Sequence, residues 1–290
     1  MLSSATCAQI LFLPGLLAIG ACWAGPPPDS THEDARASRK ALEAPRAASA
    51  VQVGTRCQED YPAEWEPTVP DTWRQCESFN SGIAPASPVK FYYNLHGAQP
   101  AFQDEDTCGW SCGYVDSVDL FYTLTHGGID NGDQRLEARW AMWDKRTYAR
   151  SQYMRLGASG RQNMVFVTGA CDTHRVDAYV LERWKTIFAG GLILTLGGHH
   201  LIWSGHPGQG ADFANRMRNG EPIGQAWLEA TFYADNANTP AVLSTGGWNR
   251  SPGDPLECFT RQDTTVLDNL ITRSPIRDGD VGALCWTTWN

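Results

Sequence analysis

Residues 117–128 read SVDLFYTLTHGG. Val118, Leu120, Phe121, Tyr122 and Leu124 make a nearly continuous apolar run. Runs of that kind mark a strand covered on both faces, as in a parallel sheet flanked by helices. His126-Gly127-Gly128 ends it. A second run, NMVFVTG at 163–169, ends the same way in Ala170-Cys171-Asp172. Two more strands are expected at 89–95 (VKFYYNL) and at 191–196 (GLILTL), the latter closed by Gly197-Gly198. Short β-like runs return at 241–244 and 283–287. Between them, residues 175–189 (RVDAYVLERWKTIFA) place Val176, Tyr179, Val180, Trp184, Ile187 and Phe188 at helical spacing. Residues 211–218 and 223–233 read similarly. The alternation predicts an α/β fold: a mostly parallel sheet with helices on both faces.

The weakly polar window at 187–204 has the length of a membrane span. Its four glycines and the adjacent His199 and His200 fit a strand exit better. The chain has 290 residues with a net charge of −9, the wrong sign for a nucleic-acid binder. Residues 10–24 (ILFLPGLLAIGACWA) are apolar but too short for a comfortable span of about 20 residues. They read as the apolar part of a signal peptide spanning 1–24, with small residues before a cut at Gly25, although residues 1–9 hold no Lys or Arg. A lipoprotein reading stays open, because Ile19-Gly20-Ala21-Cys22 resembles a lipobox. An acylated Cys22 is the one membrane anchor the chain suggests. Residues 25–50 are rich in Pro, Ala and charge and are read as a disordered linker. The folded domain is expected over 51–290, in a protein that is secreted or held at the cell envelope.

Nine cysteines are present, and Cys7 and Cys22 fall in the signal. Seven is an odd number for an exported chain that oxidises its spare thiols. Cys171 is the expected thiol outside the bridges, because it alone follows a long apolar run. Sequence proximity favours Cys57–Cys76, Cys108–Cys112 and Cys258–Cys285 among the 15 ways of pairing six cysteines.

In open parallel sheets, chemistry gathers at the carboxyl ends of the strands. If the strands ending in His126 and Cys171 are neighbours, the two side chains emerge together. A thiolate is a strong nucleophile, and a nearby imidazole can activate it or protonate a leaving amine. The backbone N–H groups of Gly127 and Cys171 can face a developing oxyanion. The expected catalytic residues are therefore Cys171, His126 and Gly127, with no cofactor and no metal required.

This pattern, VDLFYTLTHGG followed by NMVFVTGACDT, resembles that of the caspase-like cysteine peptidases, a group including caspases, gingipains and clostripain. With Glu137-Ala138-Arg139-Trp140 and residues 213–230 (FANRMRNGEPIGQAWLEA), residues 88–245 are similar to an uncharacterised, mainly bacterial secreted family of that layout. The resemblance implies a caspase-like three-layer sandwich with His126 as acid/base and Cys171 as nucleophile. It implies a secreted cysteine endopeptidase or amidase acting on a peptide or protein substrate. It supplies no residue that selects the substrate.

Other readings compete. Cys171 could be an inert buried thiol and His126 a core histidine, leaving a non-catalytic extracellular binding module. His199, His200 and Asp172 are candidate substrate contacts at the cleft rim, with plain loop solvation the alternative for Asp172. His174 is a rival base, or part of a metal site with His199, His200 and His206, although the spacings of structural zinc sites are missing. Trp140, Trp143, Trp184 and Trp227 are read as core residues on helix-like segments. Trp203, Trp248, Trp286 and Trp289 are read as surface candidates, and Asn249-Arg250-Ser251 as a glycosylation sequon.

Overall fold

The structure, a computed structural model, describes residues 51–59, 71–87, 89–91, 115, 118–129, 137–141, 148–157, 163–188, 192–202, 205–246, 255–272 and 283–289. The expected signal peptide and linker, Cys22, the Cys108–Cys112 pair, Trp143, Trp203, Trp248 and the sequon lie outside these residues.

The main sheet has seven strands: β1 (Val53–Cys57), β2 (Val89–Phe91), β3 (Leu120–Leu124), β7 (Val165–Gly169), β8 (Leu194–Gly198), β9 (Pro240–Gly246) and β10 (Ala283–Thr288). Their spatial order is β10-β9-β8-β7-β3-β1-β2. β2, β1, β3, β7 and β8 run parallel, β9 is antiparallel to β8, and β10 is antiparallel to β9 and so runs with the parallel strands. The strands β4 (Gly127–Ile129), β5 (Ala138–Ala141) and β6 (Tyr148–Arg150) form a separate antiparallel sheet that starts immediately after His126.

Both faces of the main sheet are covered, which is why its strands read as unbroken apolar runs. On one face, Leu120, Tyr122, Leu124, Val165, Val167, Leu194 and Leu196 pack against α1 (Thr72–Ile83), α3 (Pro207–Arg218) and α4 (Ile223–Ala234). On the other, Phe121, Phe166 and Leu243 pack against α2 (Val180–Phe188) and against Trp140 and Ala149 of the small sheet. The helix α5 (Pro255–Thr264) lies along β9 and β10. The result is the expected three-layer α/β sandwich with a mostly parallel sheet. Disulfides join Cys57 to Cys76 and Cys258 to Cys285, with Cα atoms 6.2 and 5.7 Å apart. Both are pairings that sequence proximity favours.

Three elements depart from the sequence expectation. Trp140 sits on a strand, not a helix. It is buried, and its indole N–H donates to Thr168 Oγ1 at 2.8 Å, fastening the small sheet to β7. α2 starts at Val180, because Asp177 Oδ1 accepts the Tyr179 N–H at 2.9 Å in a local turn that delays the helix. α3 starts at Pro207, where the fixed φ of proline suits the first helical turn. Trp286 and Trp289 are half-buried and pack against the core clusters, so neither is a freely presented surface ring.

One polar network locks α1 to the sheet. Gln75 donates to the buried Tyr122 hydroxyl at 2.9 Å, and its Oε1 accepts the Gly205 and His206 N–H groups at 2.7 and 3.0 Å. Removing a partner from a buried polar group costs its desolvation. Gln75→Ala is therefore expected to destabilise the protein by about 2–3 kcal/mol in urea melts. A loss below about 0.5 kcal/mol would show that the network carries no stability.

Candidate functional site

Because β1, β3, β7 and β8 are parallel, their carboxyl ends share one edge of the sheet. β3 and β7 are hydrogen-bonded neighbours, with Leu124 opposite Gly169. His126 and Cys171 each lie two residues beyond that last pair, so the topology delivers them in register at the same edge. The ladder runs on into the loop, where the Thr125 N–H donates to the Gly169 carbonyl at 3.4 Å. Both residues are half-buried.

Cys171 is a thiol rather than a half-cystine. Its sulfur lies against the backbone of Ile202, just past β8. The Ile202 N–H donates to Sγ and Sγ–H donates to the Ile202 carbonyl, each at 3.5 Å. The Cys171 turn is fastened to the same segment by the Asp172 N–H to the His200 carbonyl (2.7 Å) and the His174 N–H to the Gly198 carbonyl (2.9 Å). Asp172 itself has φ 56°, in the left-handed region that few non-glycine residues occupy. Such backbone is held only when the surroundings over-determine it.

Gly127 touches this turn. An ideal Cβ on it would stand 2.6 Å from Ala170 Cβ, 2.7 Å from Thr173 Cγ2 and 3.1 Å from the Cys171 carbonyl oxygen. Only a residue without a side chain allows the two backbones to approach so closely.

The rim residues separate into two kinds. His200 is exposed, and its Nδ1 lies 3.4 Å from Asp172 Oδ1 beside the Cys171 turn. His199 is turned into the structure, and its Nδ1 accepts the Val176 N–H at 3.0 Å. Burial first, and then the charge of His200, pull the His199 imidazole down to about 4. The half-buried His199 ring, bonded to backbone, presents less of itself to the rim than the exposed His200. His174 lies 0% exposed under the Cys171 turn, and burial, then Arg183, hold its imidazole well below the ordinary range. Among the described residues, no group of three or more His, Cys, Asp or Glu side chains is placed to hold a metal ion.

These depressed histidines have a consequence for stability. An unfolded histidine titrates near 6.5. Between that pH and about 4 the unfolded chain takes up protons that native His199 refuses. Stability is then fully present above about pH 6.5 and falls as pH drops through the window. Urea midpoints measured from about pH 7.5 down to about pH 4.5 are expected to decline, and His199→Gln is expected to make that decline shallower. An identical slope in the variant would contradict the depressed titration.

Apart from Cys57, the sequence analysis names no residue of β1, yet Arg56 sits there 2% exposed, opposite Thr123 of β3. Its Nη2 donates to Gln58 Oε1 at 2.8 Å, and the Gln58 N–H donates to the Leu124 carbonyl at 2.9 Å. A cation therefore lies one strand away from the His126 exit. The only signal in the sequence was a single arginine inside the otherwise strand-like VQVGTRC.

The fold and the edge define an α/β protein with an imidazole and a thiol at the carboxyl ends of adjacent parallel strands. The chain belongs to the family described as "Domain of unknown function (DUF6345)", whose family model matches residues 63–253. No curated protein matches it. Among solved structures, it is similar to caspase-1 from Spodoptera frugiperda, at 10% identity and a TM-score of 0.43, covering 77% of this chain and 88% of that one. The Drosophila initiator caspase Dronc is similar at 11% identity and a TM-score of 0.38, covering 66% and 78%.

Proposed function

We propose that the protein is a cysteine peptidase or related amidase that cleaves peptide bonds with Cys171 as nucleophile and His126 as acid/base. The observation that carries this reading is the register of β3 and β7, which brings both residues out at one edge two positions past the last paired residues. Cys171 sulfur attacks the carbonyl carbon. The N–H groups of Gly127 and Cys171 take the oxyanion, and the His126 imidazolium gives its proton to the departing nitrogen, leaving a thioester. Water, deprotonated by the now neutral imidazole, hydrolyses that thioester and restores the thiol. His200 and Asp172 flank the approach to the sulfur as exposed substrate contacts. The two disulfides support export to an oxidising compartment.

The test is incubation of the purified protein with an internally quenched peptide library, with and without iodoacetamide. Cleavage that stops when Cys171 alone is carboxamidomethylated supports the reading. Cleavage that survives full modification of Cys171 rejects it. A binding module without turnover is favoured by one observation, the engagement of Sγ by both backbone groups of Ile202. It predicts no cleavage of any library member.

A further inference from the structure

Beneath the Cys171 turn lies a buried polar chain that the mechanism above does not use. Thr173 Oγ1 is 3.1 Å from the Ala170 carbonyl oxygen and 3.0 Å from His174 Nδ1. His174 Nε2 is 2.9 Å from Thr195 Oγ1 on β8. The His174 ring fills the place where a side chain on Gly197 would stand, since an ideal Cβ there would lie 2.1 Å from Nδ1. Trp184 closes the other side, with ring centroids 4.4 Å apart, and its indole N–H donates to the Thr173 carbonyl at 3.2 Å. Thr173, His174 and Thr195 are all 0% exposed.

Donor counting gives the chain a direction. A carbonyl oxygen can only accept, so the single hydroxyl proton of Thr173 goes to Ala170. The contact between Thr173 and His174 must then be donated by Nδ1–H. The ring is enclosed, packed at a tilt against Trp184 and near the buried cation of Arg183, which itself pairs with Asp177 at 2.9 Å. These surroundings keep it neutral, so Nε2 carries a lone pair and the Thr195 hydroxyl donates to it. The chain runs Thr195 O–H to His174 Nε2, Nδ1–H to Thr173 Oγ1, and Thr173 O–H to the Ala170 carbonyl. That carbonyl belongs to the same peptide group as the Cys171 N–H.

We propose that His174 is a positioning residue which, as the fixed Nδ1–H tautomer, orients and polarises the Ala170–Cys171 peptide so that the Cys171 N–H serves as an oxyanion donor. The inference rests on the cysteine-peptidase reading for its catalytic consequence. Hydrogen bonds in series strengthen one another, so a donor on the carbonyl makes the N–H of that peptide a better donor. Thr173 acts at both halves of the oxyanion site. Its hydroxyl holds the Ala170–Cys171 peptide, and its methyl lies where a Gly127 side chain would be.

Two measurements on the full-length protein test this. Nitrogen NMR of histidine-labelled protein is expected to show His174 as Nδ1–H, unchanged from about pH 8 to about pH 5. An Nε2–H tautomer, or protonation within that range, overturns the relay whatever the activity. On the best-cleaved peptide of the library, Thr173→Val is expected to lower kcat about tenfold at unchanged KM. Alkylation of Cys171 by iodoacetamide, which builds no oxyanion, is expected to stay within about twofold of the wild type. Thr173→Ser, which keeps the hydroxyl, is expected to restore kcat to within about threefold. Equal slowing of alkylation and cleavage in Thr173→Val would mark a merely structural role and overturn the proposal. Absence of wild-type cleavage with the Nδ1–H signal in place overturns the peptidase reading and leaves the hydrogen-bond chain standing.

Discussion

Cys171→Ala is expected to eliminate cleavage of every peptide that the wild type cuts, a loss of about 10³-fold or more. No other described group is offered as nucleophile, and alanine cannot form the thioester. The fold is expected to persist. Cys171 is half-buried, and its sulfur makes two long contacts to Ile202 backbone groups rather than filling the core. The cost in stability is expected to stay below about 1 kcal/mol. His126→Ala is expected to be less severe, about 10²-fold, because a thiol keeps its own nucleophilicity when the acid/base is lost. Peptide cleavage and urea melts on the same preparations measure both effects. A Cys171→Ala protein that cleaves at the wild-type rate ends the mechanism, and one that fails to fold assigns Cys171 to the core.

Opening the two disulfides is expected to be the largest purely structural effect. Cys57–Cys76 ties the end of β1 to α1 across 19 residues, and Cys258–Cys285 ties α5 to β10 across 27. Closing loops of that length in the unfolded chain is worth about 3 kcal/mol each. Losing both removes about 6 kcal/mol, comparable with the whole margin of a typical domain. Urea unfolding with and without reductant is expected to show a large drop in midpoint. Cys57→Ala with Cys76→Ala is expected to reproduce about half of it. Both cysteines of that pair are wholly buried, so the double substitution also leaves small cavities. An unchanged midpoint after complete reduction would show that the bridges constrain nothing.

Parts of this arrangement were open to reading and parts were closed. β3, β7 and β8 announced themselves because helices or the small sheet cover both of their faces. α1 did not, because its buried face is built from Thr72, Gln75 and Cys76 as well as Phe79 and Ile83. The small sheet escaped notice because Gly127–Ile129 and Tyr148–Arg150 are three-residue strands with no periodicity to detect. The partition of the histidines was equally hidden. Adjacent His199 and His200 differ only in that one accepts a backbone N–H inside the protein and the other faces solvent beside Asp172.

From residue order alone came the alternation of strands and helices, the thiol left outside the bridges, and two strand exits carrying an imidazole and a sulfur. Those are local properties, written in apolar runs, cysteine positions and the glycines that stop a strand. Folding alone decided that β3 lies beside β7, that Gly127 rests on Thr173, and that His174 is sealed beneath the Cys171 turn. Each of these depends on which distant segments pack together, and a strand's own residues do not name its neighbour.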